Sequence, residues 1–120
     1  MPGKNTKKPG KTGEDAAAAF LEEKGYQIVE RNYRYRRGEV DIIALDGENL
    51  VFIEVKSWSA LGIDALEHGL DIKKQRRIIE TAKHFLFFYR KLKYMTVRFD
   101  VVFIAPVGIT HLESAFTEQV

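Results

Sequence analysis

Residues 38–56 read GEVDIIALDGENLVFIEVK, and this stretch decides the fold. Val40 to Leu45 and Leu50 to Val55 are apolar at nearly every position, which suits strands covered on both faces. Asp46-Gly47-Glu48-Asn49 between them is turn chemistry, so the stretch predicts a β-hairpin. With the turn centred on Gly47-Glu48, Leu45 faces Leu50, Ile43 faces Phe52, Asp41 faces Glu54 and Glu39 faces Lys56. Side chains two apart share a face, so Glu39, Asp41, Glu54 and Lys56 converge at the hairpin's open end. Like charges directly opposed across two strands are destabilising. Two carboxylates so placed among apolar neighbours need a shared proton or a cation. A hard divalent ion such as Mg²⁺ takes oxygen ligands, often one or two carboxylates with waters and phosphate oxygens.

Outward from the hairpin, Thr12 and Asp15 have capping-box spacing and predict a helix over about 14–24, closed by Gly25. Tyr26 to Asn32 reads as a first strand. A glycine-punctuated stretch at 59–70 leads to a second helix from about Ile72 to Arg90. Val97 to Ala105 is a further strand ended by Pro106, and Thr110 to Phe116 is a candidate fifth. The order α-β-β-β-α-β predicts an α/β fold, a mixed sheet flanked by helices. At 100° per residue Glu14 points with Ala17, Phe20 and Leu21, so it is the inward carboxylate, and Asp15 points away. In the second helix the apolar stripe is Ile72, Ile79, Ala82, Leu86 and Tyr89. Gln75 falls inside that stripe and must find a polar partner, whereas Lys73, Arg76 and Arg77 fall outside it.

The chain has 120 residues, 45% of them apolar and 30% charged, which excludes a disordered tail protein and suits one domain. It contains no cysteine, which removes disulfides, thiolate metal sites and a cysteine nucleophile. The segment 1–12 reads as a flexible basic tail and 13–120 as a single domain. The tail lacks the apolar core of a secretory signal, and the longest apolar runs, Ala16 to Leu21 and Val101 to Ala105 among them, are far short of the ~20 residues of a membrane span. The expectation is a soluble cytoplasmic protein with no membrane partner. The GKT at 10–12 is not a phosphate-binding loop: Asn5 stands where glycine is required, and no strand precedes it. The chain has 19 basic and 17 acidic residues, and Lys4, Lys7, Lys8 and Lys11 lie in the tail, so the body is slightly acidic. Clustering matters more than the average. Arg31, Arg34, Arg36 and Arg37 form one basic group; Lys73, Lys74, Arg76 and Arg77 form another; Arg90, Lys91 and Lys93 form a third. Basic patches beside inward acids suit a polyanion handled at a metal site.

Gly38-Glu39-Val40-Asp41 followed by Glu54-Val55-Lys56 resembles the D…ExK signature of the restriction-endonuclease-like, PD-(D/E)xK, nuclease superfamily. The wider pattern resembles the YraN-like family of bacterial proteins. Its blocks here are Gly13-Glu14 with Ala17, Gly25-Tyr26, Arg31-Asn32-Tyr33-Arg34, Gly38-Glu39-Val40-Asp41 and Phe52-Ile53-Glu54-Val55-Lys56. Lys74-Gln75-Arg76-Arg77 and Arg98-Phe99-Asp100-Val101-Val102 complete it, so the match runs from about 12 to 104. The resemblance implies a three-layer restriction-endonuclease-like fold and a Mg²⁺- or Mn²⁺-dependent endonuclease related to Holliday-junction resolvases. By the same resemblance Asp41 and Glu54 ligate the metal, with Glu14 as an additional ligand. Lys56 orients the attacking water, and Gln75 holds that water or positions Lys56. The implied partner is DNA, branched structures included. The basic group at 31–37 and that at 73–77 are its candidate binding surfaces. Symmetric cutting of a four-way junction by so small a domain would require a homodimer. Trp58 departs from the pattern, standing where a basic residue is expected.

Each assignment has a plainer alternative. Asp41, Glu54 and Lys56 could form a solvated ion pair, Glu14 could simply face the helix dipole, and Gln75 could cap a backbone group. Glu39 could pair with Lys56. Asp100, on the same strand face as Arg98, reads as its structural partner rather than as a catalytic group. Arg31 to Arg37, interleaved with Tyr33 and Tyr35, suit phosphates and exposed bases, or equally a charged edge strand. Trp58 could stack on a base or pack in the core. His68, His84 and His111 lack ligand spacing and read as bystanders. Phe87 and Phe88 lie off the main stripe and could cover a second contact surface. The functional alternatives to a nuclease are a non-cleaving nucleic-acid-binding module and an interaction subunit with a structural acidic cluster.

Overall fold

A computed structural model describes residues 11–57 and 70–118, the first two by backbone alone. The elements are α1 (Lys11–Glu23), β1 (Gln27–Tyr35), β2 (Gly38–Asp46), β3 (Asn49–Ser57), α2 (Ile72–Phe88), a 3₁₀ turn (Arg90–Leu92), β4 (Thr96–Ala105) and β5 (Gly108–Phe116). The apolar hairpin β2-β3 occupies the interior of a five-stranded sheet of order β1-β2-β3-β4-β5, as strands covered on both faces require. Its register includes Ile43↔Phe52 and Leu45↔Leu50, as the turn predicts. β1 and β5 are antiparallel edges, and α2 carries the chain from β3 to the parallel strand β4. β5 confirms the candidate fifth strand.

The two helices cover opposite faces. Ala17, Ala18 and Leu21 of α1 pack with Ile42, Ala44, Val51, Ile53 and Val102. Ile78, Ile79, Ala82 and Phe85 of α2 pack with Ile43, Leu50, Phe52 and Phe99 on the other. The result is the three-layer α/β/α arrangement expected. Gly25 ends α1 at φ +95°, and the amides of Gly25 and Tyr26 return to the carbonyls of Glu22 and Leu21. That is a Schellman ending, with Tyr26 and Leu21 as its apolar contact. Among the described residues, no helix is long and apolar enough to cross a membrane.

Several local expectations need correction. α1 already includes Lys11, so Thr12 lies within the helix rather than at its cap, and Asp15 pairs with Arg31 at 2.6 Å. The expected tail, apart from residues 11 and 12, lies outside the described residues. β1 continues to Tyr35, because Tyr33 and Tyr35 pair with Val40 and Gly38. The buried stripe of α2 is Ile78, Ile79, Thr81, Ala82 and Phe85, so Ile72 and Tyr89 are exposed. Phe85, which the expected stripe left out, meets Phe52 edge-on at 5.8 Å, and Leu86 packs at the margin of the same core. The histidines at 84 and 111 are packed rather than idle. Trp58, His68 and the stretch 59–69 lie outside the described residues.

Asp100 is fully buried and, as expected, pairs with Arg98. Its carboxylate accepts from Arg98 Nε and Nη2 at 3.0 Å each, from His111 Nε2 at 2.7 Å and from the Ser114 amide at 3.0 Å. Arg98 also reaches Asp46 and the Tyr26 hydroxyl. Burial pushes the Asp100 carboxyl up, but the bonds from His111, Arg98 and the Ser114 amide outweigh it and hold the carboxyl below its ordinary range. A depressed carboxyl stabilises the fold above its unfolded-state pKa and loses that contribution as pH falls. Asp100→Asn should therefore cost about 3–5 kcal/mol in urea unfolding at neutral pH. The gap from wild type should shrink as the pH falls below about 4. An unchanged midpoint at neutral pH would contradict this role.

Candidate functional site

Two of the four buried polar or charged residues among the described residues, Asp41 and Glu54, meet at the open end of the hairpin, 8% and 6% exposed. The β2-β3 register runs from Asp46↔Asn49 to Ile42↔Ile53. Beyond it, the Val55 amide donates to Asp41 Oδ2 at 2.7 Å. The Asp41 side chain thus takes an amide that faces β2, and the hairpin gives way to the site. The carboxylates line a recess of about 250 Å³ with Gly38, Lys74, Arg77 and Ile78 among its walls. Gly38 brings β2 close to α2: a Cβ there would stand 2.7 Å from the Arg77 carbonyl oxygen.

Two lysines face Glu54. Lys74 Nζ lies 2.7 Å from Glu54 Oε2, and Lys56 Nζ lies 3.6 Å from the same oxygen. Burial raises the Asp41 carboxyl well above its ordinary range, and the negative charge of Glu54 and then of Glu14 adds to it against the Val55 amide. Burial lowers the Lys56 ammonium, helped by Lys74. Burial works against the Lys74 ammonium too, but its bond to Glu54 carries it upward.

The remaining expected groups divide. Glu14, in the first turn of α1, accepts from Asn32 Nδ2 at 2.8 Å, and Asn32 also reaches Glu39 at 3.3 Å. Asn32 holds φ +54°, a left-handed conformation that asparagine tolerates better than most residues. Glu39 pairs with Arg34 at 3.3 Å, not with Lys56. The Gln75 amide donates to the Leu70 carbonyl at 3.0 Å, the backbone-capping alternative, and does not line the carboxylate recess. Arg31 is held by Asp15. Arg36, Arg37, Lys73, Arg76 and Arg77 instead line a neighbouring groove of about 570 Å³. Sequence reasoning placed Lys74 among the candidate nucleic-acid-binding cations rather than beside Glu54, and missed Asn32 as the link between Glu14 and Glu39. The one signal for Asn32 was a turn-forming residue inside a strand.

Comparison with known sequences supports this reading of the chain's ancestry. The family model described as an uncharacterised protein family, UPF0102, matches residues 13–104. The chain belongs to the UPF0102 family. A UPF0102 protein of Persephonella marina is 45% identical over 107 residues, covering 89% of this chain and 91% of its own. One of Thermotoga petrophila is 48% identical over 103 residues, covering 86% and 92%. One of Treponema pallidum is 40% identical over 124 residues, covering 98% of both chains. The YraN-like resemblance is thereby borne out.

In this UPF0102 chain the donor set suits a hard cation in part. Among the described residues no three acidic or imidazole groups already stand as a ligand cage. Two buried carboxylates in an open recess do match Mg²⁺, which keeps several waters and is usually bound through one or two carboxylates. Gly38→Ala should push α2 from the sheet and cost about 1–3 kcal/mol in urea unfolding; an unchanged midpoint would show that the contact yields freely. A carboxyl whose pKa is raised by folding stabilises most below its unfolded-state pKa and loses that contribution as pH rises. In chelator, Asp41→Asn, which can still accept from Val55, should therefore be more stable than wild type by about 1 kcal/mol. The advantage should widen from pH 5 to pH 8; an advantage that shrank with pH would contradict the burial argument.

Proposed function

We propose that this protein is a metal-dependent endonuclease that hydrolyses DNA phosphodiester bonds, branched DNA included. The observation that supports the reading is the buried Asp41–Glu54 pair in a recess that opens into an arginine-lined groove, with Lys56 3.6 Å from Glu54 though not in the recess lining. A solvated ion pair would not need burial, a raised carboxyl and a neighbouring polycationic path together.

Asp41 and Glu54 would hold Mg²⁺ or Mn²⁺, with Glu14 as an outer ligand. When bound, the ion supplies charge stabilisation at the scissile phosphate and a more acidic attacking water. Lys56, its ammonium made more acidic by burial and by Lys74, orients that water and offsets charge growing on the phosphate. Lys74 balances Glu54 from the α2 side. Arg37 and Arg77 stand where the recess meets the groove and hold the flanking phosphates. Symmetric cutting of a four-way junction would take a homodimer. Gln75 has its amide on the Leu70 carbonyl and carries no step here.

The test is cleavage of labelled linear, flapped and four-way DNA with Mg²⁺ or Mn²⁺. Wild type should cut, and Asp41→Asn and Lys56→Ala should each slow cutting by about 10²-fold or more while retaining DNA binding. Binding without cleavage by wild type would favour the non-cleaving module instead.

A further inference from the structure

The carboxylate recess is the first of three linked openings. It shares Arg37, Gly38 and Arg77 with the basic groove. The groove in turn shares Tyr35 and Glu80 with a third opening of about 410 Å³, lined also by Lys83, His84, Phe87 and Phe88. The path therefore runs from acids, through five cations and one acid, to a cluster of aromatic rings.

Those rings are held in place. Tyr35 and His84 stack at 3.9 Å with planes 17° apart, and His84 is fixed from behind by the Tyr33 hydroxyl at 2.8 Å. The Arg36 guanidinium lies over Tyr35 at 5.1 Å. Phe88 sits 4.9 Å beyond His84, with Phe87 edge-on to it at 5.2 Å. Phe87 and Phe88 are 65% and 64% exposed, an unfavourable placement for two rings unless something covers them.

We propose that this aromatic shelf binds unpaired bases of single-stranded DNA whose phosphates follow the basic groove toward the carboxylates. Charge complementarity favours this occupant, since the groove leading to the rings is cationic. The rings favour a single strand, because a base offers its face to a protein ring only when it leaves the duplex stack. The span from Lys74 to Phe88 along α2 is about 20 Å at the helical rise of 1.5 Å per residue. At the ~3.4 Å rise of a stacked strand that distance holds about six nucleotides. The inference rests on the nucleic-acid reading of the groove and narrows its substrate to DNA with a single-stranded segment.

The test is fluorescence anisotropy of the full chain, in chelator, with a labelled 12-nucleotide single strand, a duplex of the same sequence and the matching RNA. The single DNA strand should bind more tightly than the duplex. Phe87→Ala and Phe88→Ala should weaken single-strand binding roughly fivefold or more and leave duplex binding unchanged. Phe88→Trp should restore it, and circular dichroism should show all variants folded. Arg76→Gln with Arg77→Gln should weaken both DNA forms. Equal losses for strand and duplex in the phenylalanine variants, no loss at all, or tighter binding of the RNA would overturn the proposal. So would a dimer that Phe88→Ala converts to monomer without changing DNA binding, which would assign the rings to a second copy. A wild-type protein that binds through the shelf yet never cuts would sink the nuclease reading and leave this one standing.

Discussion

Two carboxylates buried at the end of an apolar hairpin are unfavourable by themselves, and much of the surrounding structure answers that placement. The Val55 amide turns to Asp41, so the hairpin ladder gives way where the acids begin. α2 arrives close enough to set Lys74 on Glu54, and it can do so because Gly38 has no side chain to hold the helix off. α1 contributes Glu14 to the same end, tied through Asn32 to Glu39. The sheet, the two helices and the glycine thus serve one electrostatic problem. Its resolution is incomplete, since Asp41 remains raised above the ordinary carboxyl range.

Asp100 shows what a resolved version looks like. It is buried as Asp41 is, yet its carboxyl is held down rather than pushed up. The difference is in the neighbours: Asp100 accepts from Arg98, His111 and a backbone amide, whereas Asp41 has one backbone amide and two nearby acids. Burial raises both, and the count of donors decides the sign. One aspartate therefore fastens β4 to β5, and the other, its carboxyl still raised, is the one we propose takes a cation.

The hairpin and its register were legible over 42–45 and 50–53, because turn chemistry and two apolar runs leave one way to pair them; the expected opposition of Asp41 to Glu54 and Glu39 to Lys56 lies beyond the end of the ladder. Helical spacing set Glu14 apart from Asp15, yet the two are alike half-buried, Glu14 on Asn32 and Asp15 on Arg31. The stripe of α2 was legible only in part: Ile79 and Ala82 are buried and Leu86 packs against the same core, whereas Ile72 is as apolar as Ile78 and Phe85, and only the packing against Phe52 and Phe99 chooses between them. Lys74 read as one more surface cation, since a long flexible side chain can reach inward from the edge of a stripe. Asn32 needed its left-handed backbone to be seen as the bridge between two acids. The arginines split for the same reason: sequence groups Arg31 with Arg36 and Arg37, and only the structure shows Arg31 held by Asp15.

The central claim is that Asp41 and Glu54 together are an incomplete site for a divalent cation. Calorimetric titration of Mn²⁺ into the metal-free protein, without DNA, tests it most directly. One binding event in wild type, lost in both Asp41→Asn and Glu54→Gln while each variant stays folded, is the predicted result. Equal heats in wild type and both variants, or none in wild type, would contradict it.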